Sequence, residues 1–81
     1  MARPRRMSVP RRVPVRARVD GVPEVLEGAP IASIREEWVV EDRWWTARPL
    51  RRRYFELVLE DGRNVVVFRD LMTRDWFCQR G

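Results

Sequence analysis

The sequence predicts an all-β domain, a small antiparallel sheet curled into a partly open barrel, preceded by an arginine-rich tail. Three observations predict it. Alternating or β-branched runs are separated by tight turn signals, no segment holds a helical stripe with a clear stop, and 81 residues give room for one domain. The division is a flexible Arg/Pro-rich tail over residues 1–12 and a single β-rich domain over 13–81.

The tail, MARPRRMSVPRR, holds five arginines and no acid. Like charges repel and the prolines withhold amide donors, so it has no pattern that packs. From Val13 to Val19 the valines and Ala17 alternate with Pro14, Arg16 and Arg18, a half-buried strand in which Pro14 marks an edge or a beginning. Asp20-Gly21 predicts a two-residue type I′ hairpin, with Val22 to Glu27 returning as the second strand and Gly28-Ala29-Pro30 breaking the pairing. Residues 31–43 carry both a helical stripe (Ile31, Ile34, Trp38) and a β run (Trp38-Val39-Val40); the rising β-branched content favours strand.

Residues 44–49, WWTARP, read as an irregular link. Residues 51–69 form the clearest hairpin, two β runs around Asp61-Gly62. A two-residue loop there sets Val58 opposite Val65 and Phe55 opposite Phe68. Residues 70–75 are a polar connection, and Trp76 to Gln79 make a short last strand.

Composition narrows the chemistry. There is no histidine and only one cysteine, so the usual general base, the commonest metal ligand, an internal disulfide and a thiolate zinc site are missing. The acids Glu36-Glu37 and Glu41-Asp42 are adjacent pairs, which a strand points to opposite faces, so neither makes a dyad. Glu56, Glu60 and Asp70 read as partners for arginines, and Cys78 as a small core residue. No apolar run suits a membrane span, and the lone thiol suits a reducing, cytoplasmic compartment. The expectation is a non-enzymatic chain with no cofactor and no metal.

All 17 cations are arginine against 12 acids, a formal +5, and residues 1–12 supply the whole excess, so residues 13–81 are neutral. Two candidate surfaces follow. Arg3, Arg5, Arg6, Arg11 and Arg12 would neutralise phosphates from the tail; Arg48, Arg51, Arg52 and Arg53 follow Trp44 and Trp45, an interleaving of basic and aromatic residues suited to nucleic acid. In an extended Trp44-Trp45 pair one ring points outward, for base stacking or for a protein partner. Against this, Asp20 to Asp42 holds seven acids and only Arg35 as a base, a two-faced charge pattern that also fits docking onto a protein.

The stretch from Glu37 to Gln79 has Trp38, Glu41-Asp42-Arg43-Trp44-Trp45, Arg53-Tyr54-Phe55, Asp61-Gly62-Arg63, Phe68-Arg69-Asp70 and Trp76-Phe77. It resembles a small bacterial domain of unassigned function, similar to the C-terminal end of ImuB-type Y-family-polymerase-like mutasome proteins. The resemblance covers about half the chain and implies an accessory role in DNA repair or translesion synthesis, through DNA or through a polymerase-like or other replication or repair partner, without polymerase activity. The leading expectation is a nucleic-acid-binding accessory module. The alternative is a protein-interaction module with no direct nucleic-acid contact, and a homodimer through an unpaired edge strand at Val13 to Val19 is open to either.

Overall fold

The structure is a computed structural model that describes residues 9–42, 45, 47 and 49–80. Among these it is all strand and turn: β1 (Arg11–Arg12), β2 (Val15–Ala17), β3 (Pro23–Leu26), β4 (Ala29–Asp42), β5 (Leu50–Leu59), β6 (Asn64–Asp70) and β7 (Trp76–Arg80). They form one antiparallel sheet in the order β1-β7-β6-β5-β4-β3-β2. No helix among the described residues is long and apolar enough to cross a membrane.

The strand order explains the curl. β1 and β2 stand at opposite ends of the sheet, yet only Val13 and Pro14 separate them. Two residues reach about 7 Å, so the ends must come together, and the sheet closes into a half-barrel. Val13 N donates to the Trp76 carbonyl at 3.0 Å, and Glu27 N donates to the Pro14 carbonyl at 2.9 Å. Pro14 thus sits where the chain passes from one sheet end to the other and only an acceptor is needed. The strand expected over 13–19 is shorter, Val15–Ala17, and it stands last in the strand order with β3 on one side, an edge strand as the sequence expected. Arg11 and Arg12 also belong to the fold rather than to the tail.

Alternation along the strands sorts the side chains. Phe55, Leu57 and Leu59 on β5, Val65 and Val67 on β6, and Trp76 and Cys78 on β7 fill the concave side with Val13 and Leu26. Phe55, Leu57 and Val67 are fully buried. β4 is strand throughout, as the β-branched end of residues 31–43 predicted.

The turns differ from the sequence expectation, and the difference moves side chains between faces. A type I′ turn needs positive φ at both central residues, and neither Asp20 nor Asp61 has one, whereas Gly21 and Gly62 do. Arg18 N donates to the Val22 carbonyl and Leu59 N to the Arg63 carbonyl, so both hairpins close three-residue loops ending in a left-handed glycine. The β5–β6 register therefore shifts by one residue, to Leu57 opposite Val65 and Tyr54 opposite Phe68. Phe55 and Phe68 fall on opposite faces of the sheet. The turn with two positive φ values is Glu27-Gly28 (50° and 81°), which joins β3 to β4 where a break was expected.

Gly21 has a second constraint besides its φ of +89°, since an added Cβ would lie 2.5 Å from an Arg53 guanidinium nitrogen, while Gly62 has open space around it. Gly21→Ala is expected to cost about 1–2 kcal/mol from backbone strain alone, plus the displacement of Arg53. Urea denaturation should rank it below Gly62→Ala, and equal losses would show that Arg53 yields freely.

Candidate docking edge on the fourth strand

β4 is 14 residues long, but only Ala29 and Pro30 pair with β3. Ile31 to Asp42 pairs with β5, and among the described residues no strand borders the other edge of Ala32–Asp42. The cause is Arg53. It lies on the face of Phe55, with its guanidinium 5.0 Å from the ring centroid. Nε donates to Glu37 Oε2 at 2.6 Å and Nη1 donates to the Asp20 carbonyl at 3.0 Å. The tip of the β2–β3 hairpin is thereby held on the concave side, and a groove lined by Val22, Pro23, Val25, Ile31, Ala32 and Ile34 separates that hairpin from β4.

Beside this edge the convex face carries a row of rings. Trp38, Tyr54, Phe68 and Phe77 stand opposite one another on β4, β5, β6 and β7. Centroids are 5.3 Å apart for Trp38–Tyr54, nearly parallel at 7°, then 4.9 Å for Tyr54–Phe68 and 5.2 Å for Phe68–Phe77. Such pairs contribute roughly 0.5–1.5 kcal/mol each beyond burial. Phe68 is 1% exposed within the row, whereas Trp38 at its end is 38% exposed. Trp38 has Tyr54 on one side and the open edge on the other. Val39 (54%) is exposed on the same stretch.

Electrostatics along the edge are uneven. Glu41 accepts from Arg51 Nε at 2.9 Å, and Glu37 is held by Arg53. Glu36 and Glu56 face each other across β4 and β5, and neither has an ion pair among the described residues. Like charges directly opposite repel, so this part of the surface is negative.

Of the arginines expected to hold nucleic acid, the five among the described residues are engaged within the fold. Arg11 pairs with Glu27 at 2.7 Å and Arg12 with Asp75 at 2.9 Å, while Arg51 and Arg53 pair with the acids of β4. Arg52 lies on the convex face, 4.4 Å over the Phe68 ring, and Nη1 donates to Tyr54 Oη at 3.1 Å. Its Nε is buried without a hydrogen-bond partner; a lost donor of this kind costs about 1–3 kcal/mol, which the ring contact offsets in part. Trp45 is exposed, at 66%. Arg3, Arg5, Arg6, Arg48 and Trp44 lie outside the described residues. The sequence grouped Arg51, Arg52 and Arg53 as one patch, but alternation puts Arg52 on the other face from its neighbours. Trp38 and Glu36, both absent from that patch, become prominent only once the β4–β5 register is known.

Several carboxylates are held below their ordinary range: Asp20 by hydrogen bonds from Arg18 and from the Val22 amide, Asp61 by the Arg63 amide and then its side chain, and Glu27 by Arg11. A lowered folded pKa stabilises above the unfolded value, and that stability is lost as pH falls through the folded value. With no histidine in the chain, the urea midpoint should stay level between about pH 5 and 8 and fall below about pH 4. A midpoint that rises on acidification would contradict this assignment.

Among the described residues, no group of three or more Cys, Asp or Glu side chains is arranged to hold a metal ion. No family model matches the chain, and no curated protein or solved structure was found to match it. These comparisons add no link to the ImuB-type proteins.

Proposed function

We propose that the chain is a non-enzymatic protein-interaction module that binds a partner strand along the free edge of β4. The observation that carries this reading is the unbordered edge from Ala32 to Asp42, with Trp38 and Val39 exposed on it. An edge strand offers a row of unpaired backbone groups as a template, and alternate side chains supply specificity. The nucleic-acid reading is weaker, because Arg11, Arg12, Arg51 and Arg53 meet carboxylates and Arg52 meets rings. The resemblance to mutasome proteins suits a polymerase-like or repair partner.

Two arms test the reading. Removing residues 1–8 deletes none of the described strands, and the shortened chain, once its urea midpoint matches that of the full chain, is expected to show no saturable binding to single- or double-stranded DNA or RNA near about 50 mM salt. Binding by the full chain would fall steeply as salt rises, as phosphate neutralisation releases counterions. In the second arm, a partner recovered from host cells is identified, purified and rebound, and its affinity should survive removal of residues 1–8 and fail when the β4 edge carries proline. Nucleic-acid affinity that persists without residues 1–8 and is lost in Arg51→Ala or Arg53→Ala would overturn the reading.

A further inference from the structure

Resting on the docking reading above, we infer that the segment bound along β4 belongs to a partner protein and carries an arginine that lies on the free face of Trp38 and pairs with Glu36 and Glu56. The indole stacks on Tyr54 with one face, and its other face looks toward the edge that no described strand borders. Glu36 stands two residues before Trp38 on the same side of β4, opposite Glu56 as Trp38 is opposite Tyr54. Neither carboxylate has an ion pair among the described residues, and Arg35, at the irregularity between Ile34 and Glu36, makes none either. Two like charges facing each other beside a bare ring face attract a cation. A guanidinium suits this corner better than an ammonium, because its plane stacks on the ring while its edge donates a forked pair of hydrogen bonds to a carboxylate.

The fold already holds an arginine in this way on its concave side. Glu37 stands opposite Phe55, and Arg53 lies on that ring while its Nε donates to Glu37 Oε2 at 2.6 Å. On the convex side the carboxylates and the ring are present, but the neighbouring arginines of β5 are engaged elsewhere: Arg52 lies over Phe68, and Arg51 is bonded to Glu41. The cation therefore arrives with the incoming strand. Charge also argues against β4 of a second copy as the occupant, since residues 36–42 hold Glu36, Glu37, Glu41 and Asp42 and no cation, and two such runs side by side repel. Alternation sends the residues flanking the arginine to the concave side, where Val25, Ile31 and Ile34 line the groove. The bound segment is thus extended and reads apolar, arginine, apolar.

A phage-displayed library of random peptides, selected on the full chain, tests this. Enriched peptides are expected to carry an arginine flanked by apolar residues. The best of them, synthesised with a fluorescent label and measured by anisotropy, should bind at least tenfold more weakly when its arginine becomes glutamine. The same loss is expected when the chain carries Glu36→Gln with Glu56→Gln, a change that relieves repulsion and should not lower the urea midpoint. Both changes together should cost little more than either alone, as for groups in direct contact. Trp38→Ala should weaken the arginine peptide at least tenfold and Trp38→Phe, which keeps a ring, by less. Losses that add in full overturn the contact. A library that yields no peptide also overturns the inference, and rebinding of the purified partner then decides the docking reading by itself. Arginine-free peptides whose binding is lost with proline in the β4 edge overturn the arginine while upholding the edge. A peptide that binds only after residues 1–8 are removed makes the chain's own tail the occupant, and self-association lost in the double glutamine variant makes it a second copy; either result overturns the partner segment.

Discussion

Phe55→Ala is expected to lower the unfolding free energy by about 3–5 kcal/mol, the range for truncating a buried aromatic side chain. Phe55 is 0% exposed and sits in the centre of β5, against Trp76 at 5.7 Å and under the Arg53 guanidinium at 5.0 Å. Removing the ring leaves a cavity and takes away the platform on which Arg53 holds the β2–β3 hairpin. Small domains have net stabilities of about 5–15 kcal/mol, so this one change takes a large share of the total. Tryptophan fluorescence in a urea titration measures it. A loss under about 1 kcal/mol, the size expected of a surface change such as Val39→Ala, would mean that the concave side is not the core.

The second large effect concerns binding. In an antiparallel strand, neighbouring amides point alternately to the two edges, so of Val39 and Val40 one donates toward β5 and the other points away from it. Proline at the first breaks the ladder; at the second it removes a donor that no described strand uses, which edge strands tolerate. Of Val39→Pro and Val40→Pro, the one that keeps its urea midpoint is therefore the informative variant, and it should bind the purified partner at least tenfold more weakly. Unchanged affinity in a variant with an unchanged midpoint would remove the β4 edge from the interface.

The fold class was legible because alternation and β-branched runs report burial of one strand face, and they did so from Val13 through Cys78. Register was not. Asp-Gly serves a two-residue loop or the last two positions of a three-residue loop, and sequence does not choose between them. That one residue separates Phe68 stacked with Tyr54 on the convex face from Phe68 packed on Phe55 in the core. Glu27 at φ 50° was equally hidden, since a non-glycine residue seldom enters that region. The candidate site failed to show for a related reason. Arg51, Arg52 and Arg53 are consecutive, but Glu41 and Glu37, the partners of Arg51 and Arg53, are known only after β4 is aligned on β5, while Arg52 turns to Tyr54 on its own strand.

Amide hydrogen exchange on the chain, free and bound to its purified partner, tests the central claim most directly. If a partner strand is added to β4, alternate amides between Ala32 and Asp42 that exchange readily in the free chain become protected in the complex, while those already bonded to β5 change little. Protection confined to Arg51–Arg53 or to the β1 arginines, with the β4 amides unchanged, would contradict it.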